Sequence, residues 1–318
     1  MISQTQGTVA VLLPCHNEAH AIGQVVQAFR AALPDAVIYV FDNNSTDGTT
    51  EIAREAGAVV RHEALQGKGF VVRRMFRDIQ ADLYVMCDGD DTYDASLAPA
   101  MIALARSGPY DLVNCVRLDS EAAAYRKGHR IGNRILTGAV QKIFGDRVED
   151  MLSGYKVLSF RFVKSFPTLS TGFDIETELA VHALELALPI AHVQGVYRAR
   201  PNGSASKLRT YKDGWLILRM ILRLLRHERP FAFFGSLAVF AALLTAALIA
   251  PIISTYLATG LVPRLPTLVL ATGIMISGAL SLTAGIILDT VTRGRRETRM
   301  LAYLQHPAPM VSGSEIPT

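Results

Sequence analysis

Short apolar runs alternate with segments of helical periodicity through the first half of the chain. The runs "TVAVLLP", "AVIYVFD", "AVVRH", "LYVMCD" and "DLVNCV" are separated by helix-patterned stretches at residues 18–32, 49–56, 68–79 and 96–106. Strands interleaved with helices in this way predict an α/β fold, a mixed, mostly parallel sheet with helices on both faces. The runs are nearly continuous in apolar residues, as expected of strands covered on both sides. Residues 125–197 then carry the pattern of helix, short strand, helix and strand.

The pattern changes near the C-terminal end. From Pro230 to Pro263 there is no Asp, Glu, Lys or Arg, and beyond Arg264 a second uncharged stretch runs from Leu265 to Leu288. Each exceeds the roughly 20 residues a helix needs to cross a hydrocarbon core, so two membrane spans are expected. Just before them, Lys212, Arg219, Arg223 and Arg226 fall on one side of a helical projection and Ile217, Ile221, Leu224 and Leu225 on the other, with Trp215 at the edge. This predicts an interfacial amphipathic helix. The expected parts are a catalytic domain at 1–208, the amphipathic helix at 209–229, a transmembrane hairpin at 230–290 and a basic tail at 291–318, disordered from Pro307.

Charge then orients the molecule. Arg219, Arg223, Arg226 and Arg229 precede the first span, and Arg293, Arg295, Arg296 and Arg299 follow the second, whereas the hairpin between them carries only Arg264. By the positive-inside rule the N-terminal domain faces the cytoplasm, which for a bacterial chain means the inner membrane. The first apolar run, Val9 to Pro14, is short for a secretory leader and lacks a basic flank, so insertion is expected to depend on the C-terminal spans. Cys15, Cys87 and Cys115 are widely spaced at the ends of apolar runs and read as reduced, buried thiols. Half of the 318 residues are hydrophobic and the formal net charge is +4. The basic residues flank membrane spans without aromatic interleaving, which argues against nucleic-acid binding.

Candidate chemistry collects where the predicted strands end, the edge at which such sheets bind ligands. "PCHNE" follows the first strand, "DNNSTDGT" the second, "QGKG" the third and "DGDD" the fourth. In "YVMCDGDDTYD" a buried run stops in Asp88, Asp90, Asp91 and Asp94. Carboxylates so close raise one another's pKa unless a cation or strong donors absorb their charge. A divalent cation, Mg2+ or Mn2+, held by one or two carboxylates and a substrate's phosphates, answers that need. Asp42 ends a strand and suits a base or ribose, while Lys68 between Gly67 and Gly69 opens a helix whose N–H groups suit a phosphate. The Walker spacing is absent.

These motifs in this order resemble the family 2 glycosyltransferases of the GT-A fold, and among them the membrane-anchored polyprenyl-phosphate glycosyltransferases related to dolichol-phosphate mannose synthase. The resemblance adds "DMLSGYKV" at the family's Asp-x-x-Ser-Gly segment and "RPNGSASKL" before the spans. It implies that Pro14, Glu18, Asp42, Asn44, Lys68 and Asp88 hold the nucleotide. Asp90 is then the principal metal ligand, with Asp88 and Asp91 beside it, since Thr92 stands where many relatives have Gln. Asp150 and Asp90 are the catalytic residues implied, Asp150 lying near the attacking acceptor. Lys156, where relatives often have Arg, would with Arg134, Arg198, Arg200, Ser206 and Lys207 bind the acceptor phosphate.

The implied reaction is inverting transfer of one sugar from a nucleotide-sugar, with UDP the expected nucleotide, to polyprenyl (undecaprenyl) phosphate in the bilayer. Departure of the nucleoside diphosphate passes through an oxocarbenium-like state. A phosphate acceptor is already ionised near neutral pH, so Asp150 is expected to orient rather than to act as a strong base. The alternatives are another membrane lipid acceptor, such as a glycerolipid hydroxyl, and a non-catalytic sugar-nucleotide sensor. A processive synthase is disfavoured because the Gln-x-x-Arg-Trp segment of such enzymes is missing and the one Trp, Trp215, follows "KDG". Span pairs of this kind make a homo-oligomer possible.

Overall fold

Alternate residues of the first strand, β1 (Val9–Cys15), enter two different cores. Val11, Leu13 and Cys15 join a cluster with Ile22, Val26 and Phe29, while Ala10 and Leu12 join another with Val71, Val72 and Met75. This period of two, with both faces apolar, is why the run reads as continuously hydrophobic. The structure, a computed structural model, describes residues 7–119, 148–168, 175–198, 225–262 and 264–308, together with 138, 141, 172 and 222. The chain divides into two compact units, Met1–Gly214 with Arg299–Thr318, and Trp215–Thr298.

In the first unit β1 is followed by α1 (Ile22–Ala32), β2 (Val37–Asp42), α2 (Thr49–Glu55), β3 (Val59–His62), α3 (Lys68–Asp78), β4 (Leu83–Met86), a 3-10 turn (Ala95–Leu97), α4 (Ala98–Ser107) and β5 (Leu112–Asp119). After residue 148 come β6 (Lys156–Ser159), α5 (Phe160–Ser165), α6 (Ile175–Glu185) and β7 (Ile190–Tyr197). The seven strands are ordered β3-β2-β1-β4-β6-β5-β7. All neighbours are parallel except β6, which runs antiparallel to β4 and β5. Two features place the site. The order reverses between β1 and β4, opening a crevice at their carboxyl ends, and antiparallel β6 starts at that same edge.

Buried within this unit, His182 of α6 lies edge-on to Phe162 and Phe166, with centroids 5.2 and 5.3 Å away. Its Nε2 is 3.1 Å from Ser165 Oγ and its Nδ1 has no partner among the described residues. Burial, and next the positive charge of Arg299, push its pKa down to about 3 from 6.5. The unfolded chain therefore binds a proton that the folded chain refuses between these values. The stabilisation from keeping His182 neutral is complete above pH 6.5 and is lost progressively as pH falls toward 3. At about pH 5 it amounts to a loss of about 2 kcal/mol, since each pH unit in this window is worth about 1.4 kcal/mol. Urea unfolding at about pH 7.5 and pH 5 is expected to show that slope in the native chain and a flatter one in His182→Leu.

The two uncharged stretches form α7 (Pro230–Thr259) and α8 (Leu265–Leu304), each long and apolar enough to cross a membrane. Only 11% and 17% of their most apolar windows are buried, unlike core helices of a soluble domain. Small residues let the pair approach: a Cβ on Gly278 would stand 2.8 Å from that of Ala241, and one on Gly285 3.0 Å from that of Phe234. Thr245 and Ser281 donate across to the carbonyls of Ala271 and Phe234. Close packing and interhelical hydrogen bonds of this kind hold helices together in lipid.

Helix α8 runs on into the expected basic tail. It continues to Leu304, and from Arg299 onward it belongs to the first unit. There Tyr303 is buried and donates from its hydroxyl to Asp111 Oδ2 at 2.8 Å. Arg161 forks onto the same carboxylate at 2.6 and 2.8 Å, and Ser159 Oγ donates to it at 2.6 Å. Arg299 pairs with Glu185, and His306 lies edge-on to Phe160. Most of the expected amphipathic helix, including Lys212, Trp215, Arg219 and Arg223, lies outside the described residues.

Candidate active site

Each loop at the carboxyl edge is tied to its neighbour by short polar side chains. After β1, Asn17 takes a left-handed conformation (φ 56°), accepts from Thr46 N–H at 2.8 Å and donates its own N–H to Ser45 Oγ at 2.9 Å. Glu18 starts the turn into α1: its carbonyl accepts from Ala21 and Ile22, and its N–H donates to Thr49 Oγ1. After β2, Asn43 bridges to the third loop, donating to the carbonyls of Glu63 and Leu65 and accepting from Gly67 N–H at 2.7 Å. Asn44, expected at the nucleotide, instead gives its amide to Ala64 O and Gln66 Oε1, a loop tie. The turn chemistry of "DNNSTDGT" is thus largely architectural.

Asp42 is different. It is buried, its Oδ2 accepts from Ser45 N–H at 3.2 Å and lies 3.4 Å from His62 Nδ1, yet its Oδ1 is buried with no hydrogen-bond partner among the described residues. A buried acceptor left unsatisfied costs about 1–3 kcal/mol, which a ligand's N–H or O–H would recover. Pro14 is half-buried beside it on β1, its carbonyl 3.7 Å from where a Cβ on Gly89 would stand. A cleft of about 410 Å³ between α2 and β3 is lined by Ser45, Arg54, Arg61 and His62 and by none of the strand-end aspartates, so the chemistry does not centre there.

The four aspartates after β4 have four different surroundings. Asp88 accepts from Lys68 Nζ at 2.5 Å, and Lys68 also pairs with Glu176 of α6. Burial alone would lower the Lys68 pKa; Asp88 and Glu176 outweigh it and hold the ammonium well above its ordinary value. Asp90 is buried, with Oδ1 held by Thr92 through its hydroxyl at 2.6 Å and its N–H at 3.3 Å. Asp91 stands in a left-handed conformation (φ 57°); burial raises its pKa and Asp94 adds to this, against the lowering by Arg198. Asp94 caps the 3-10 turn through Ser96 N–H at 3.0 Å and pairs with Arg198 at 3.1 Å. Asp88, Asp90 and Asp91 were expected to ligate together, but no three His, Cys, Asp or Glu side chains among the described residues converge as a metal cage.

Antiparallel β6 brings the Ser-Gly segment against Asp88. Met86 of β4 faces Lys156 of β6, and a Cβ added to Gly154 would stand 2.1 Å from Asp88 Oδ2. Gly154 N–H also donates to the Tyr93 hydroxyl at 2.7 Å. Gly154→Ala is therefore expected to push Asp88 out of place and, because a displacement near 1 Å can cost about 100-fold, to reduce kcat/KM by about that factor. Kinetics of the variant beside an unfolding curve would separate this from a loss of fold.

Asp150 precedes that segment and is clamped. Arg117 of β5 forks onto it, Nε to Oδ2 at 2.7 Å and Nη2 to Oδ1 at 2.8 Å, and adds its backbone N–H at 3.3 Å. Burial by itself would raise the Asp150 pKa, but the Arg117 hydrogen bonds and charge, with Lys156 behind, bring it below the ordinary value. Asn114 donates to the Asp150 carbonyl at 2.8 Å and accepts from Lys156 Nζ at 2.5 Å. Lys156 was expected to meet the acceptor phosphate. Instead it is fully buried, with a pKa lowered by that burial to about 8, and it supports the backbone of Asp150 through Asn114.

Arg198 is tied to Thr92 O by its N–H at 2.9 Å and sits at the rim on Asp94. Arg134, Arg200, Ser206 and Lys207 lie outside the described residues. Arg117, Asn114 and Glu176 are absent from the residues expected from sequence. Asn114 and Arg117 did leave a signal, as polar or charged residues within an otherwise apolar strand, the placement that most often carries information, whereas Glu176 stands in an acidic first turn with Glu178, which ordinary helix-start chemistry explains.

The glycosyl transferase family 2 model matches residues 10–166. Glycosyltransferase AglJ of Haloferax volcanii is 35% identical over 233 residues, 73% of this chain and 77% of that protein. The dolichyl-phosphate hexose transferase of the same organism is 28% identical over 230 residues, 72% of this chain and 99% of that protein. Among solved structures, glucosyl-3-phosphoglycerate synthase from Mycobacterium tuberculosis in complex with Mn2+ and uridine-diphosphate-glucose superposes with TM-score 0.57 at 24% identity, covering 69% of this chain and 78% of that one. That likeness establishes a shared fold.

Proposed function

The chain belongs to glycosyl transferase family 2, and we propose that it moves a single sugar from a UDP-sugar to undecaprenyl phosphate at the cytoplasmic face of a bacterial inner membrane. The observation that carries this reading is the convergence on one sheet edge of the Asp42 oxygen that has no partner among the described residues, the Asp88 and Asp90 carboxylates and the clamped Asp150. The dolichyl-phosphate hexose transferase among the relatives supports the acceptor class, and the UDP-glucose and Mn2+ of the solved structure support the donor and metal. Helices α7 and α8 support membrane attachment.

The donor set fits a hard divalent cation. Asp88 already attracts a cation, the Lys68 ammonium, and Asp90 offers a buried carboxylate, so Asp90, with Asp88 or Asp91, would hold the ion. A site with one or two carboxylates, completed by a donor's diphosphate, is the usual Mg2+ arrangement. When bound, the ion neutralises charge on the departing diphosphate. The remaining work falls to side chains. Asp42 Oδ1 accepts a hydrogen bond from the nucleoside, Thr92 fixes the Asp90 carboxylate, and the N–H groups of Lys68 and Gly69, in the first turn of α3, face phosphate oxygens. Arg198, with Arg200, Ser206 and Lys207 nearby in sequence, meets the acceptor phosphate.

Asp150 orients the acceptor. Its pKa lies below the ordinary carboxylate value and both oxygens are held by Arg117, which makes it a poor proton acceptor. A lipid phosphate has a second pKa of about 6 and attacks already ionised, so it needs no strong base. A glycerolipid hydroxyl would need one. Asp150→Asn should lower turnover by about 100-fold through misplacement of Arg117 and the acceptor, with donor affinity retained; stopped-flow donor binding beside steady-state turnover reads both. The acceptor class itself is tested by offering undecaprenyl phosphate and diacylglycerol side by side. Sugar on the phosphate lipid alone supports the reading; sugar on diacylglycerol overturns it.

A further inference from the structure

Lys68 opens α3 between two glycines, where a phosphate is expected, yet its ammonium lies between two carboxylates, Asp88 of the β4 edge and Glu176 of α6. The side chains of Lys68 and Glu176 are 10% and 7% exposed, that of Asp88 29%. Glu176 comes from a helix packed on the same face of the sheet as α3, and it is not among the residues that contact donor or acceptor in the reading above. A buried carboxylate is costly unless paired, so Glu176 needs Lys68. Asp88 has a second suitor, the divalent cation, so one ammonium is shared between a permanent partner and a contested one.

We propose that Lys68 is a built-in stand-in for the metal: it covers Asp88 until a nucleoside diphosphate draws the ammonium toward its own oxygens, and Glu176 is the positioning residue that keeps Lys68 poised between Asp88 and that second place. The proposal rests on the donor-and-metal reading. Its consequence is that metal and nucleotide load together. Metal alone must displace Lys68 from Asp88, whereas nucleotide moves Lys68 and uncovers the carboxylate. By linkage, whatever factor nucleotide adds to metal affinity, metal adds to nucleotide affinity. Glu176 sets the size of that factor, because without its charge the ammonium belongs to Asp88 alone.

The test is Mn2+ binding to the full chain in detergent, by titration calorimetry, without nucleotide. Two variants are expected to move in opposite directions. Glu176→Gln, which leaves Lys68 wholly to Asp88, should weaken Mn2+ binding by about fivefold or more, and the double variant Lys68→Met with Glu176→Gln, which removes the internal cation without stranding a buried carboxylate, should strengthen it by a similar factor. The enhancement of Mn2+ affinity by UDP should shrink in the double variant. Loss of packing would move both variants the same way, so shifts of one sign, or no shift, overturn the proposal. UDP and GDP binding to the wild-type chain with Mn2+ is the separate arm: if neither binds, the donor reading fails, while the opposed Mn2+ shifts still report whether Lys68 covers Asp88.

Discussion

Asp90→Asn is expected to reduce sugar transfer by about a thousandfold or more, the scale on which a preorganised electrostatic contact to developing charge contributes. Asp90 is 4% exposed at the end of β4, and its Oδ1 is already fixed by the Thr92 hydroxyl at 2.6 Å. Asparagine keeps the shape and can still accept from Thr92, so the fold and the unfolding midpoint should be preserved. What disappears is the charge that, in this account, holds a divalent cation against the diphosphate. Thr92→Val leaves that charge and removes only its orientation, so it should cost less, about 10- to 100-fold, as for loss of one hydrogen bond to a charged group. Turnover of the two variants at saturating donor, with metal varied, checks both; equal losses would assign Thr92 a larger role than orienting Asp90.

The largest expected effect on stability lies far from the chemistry. Asp111 is fully buried and receives Arg161, Ser159 and Tyr303. Asp111→Ala leaves the Arg161 guanidinium without its counterion and should destabilise the catalytic unit by about 3–5 kcal/mol, the usual cost of breaking a buried pair by removing one partner. Tyr303→Phe removes one hydrogen bond to the same carboxylate while keeping the ring on which Arg161 lies at 4.6 Å, and should cost about 1–2 kcal/mol. Denaturant unfolding of the full chain in detergent measures both. If Tyr303→Phe were silent, the last turns of α8 would contribute packing through Met300 and little else.

The sheet and its edge were legible because each strand is an apolar run ended by a polar motif, and because β1–α1–β2–α2–β3–α3–β4 repeats one unit. The direction of β6 was not legible. "KVLS" is apolar and short, and nothing in four residues distinguishes a parallel from an antiparallel neighbour. That direction decides the site, since it is what brings Gly154 against Asp88. Lys156 misled for a related reason: a lysine beside a Ser-Gly motif suggests a phosphate, but its partner Asn114 is set opposite it by the β5–β6 register. Cross-strand partners of this kind follow from pairing, which a single sequence does not display.

The fate of the four aspartates also separates what pattern can and cannot give. Their crowding calls for positive charge, and within the chain Lys68 brings some of it to Asp88. Asp94 proved to be a cap with an arginine partner, the ordinary explanation for an acidic residue before a helix. Asn44 likewise proved to be a tie between loops. The arginines after the second span give the membrane orientation but not their partners: Arg299 and Tyr303 stand four apart on one helical face and both pair inside the first unit.

One measurement bears most directly on the central claim. Purified full-length protein in detergent is given undecaprenyl phosphate and, in turn, radiolabelled UDP- and GDP-sugars, with Mn2+ or Mg2+ and with chelator. The account predicts label in the lipid fraction from a UDP-sugar, as a product the size of polyprenyl phosphate plus one sugar, lost with chelator and with Asp90→Asn. Transfer that persists undiminished in chelator and in Asp90→Asn, or absence of lipid product from every donor, would contradict it.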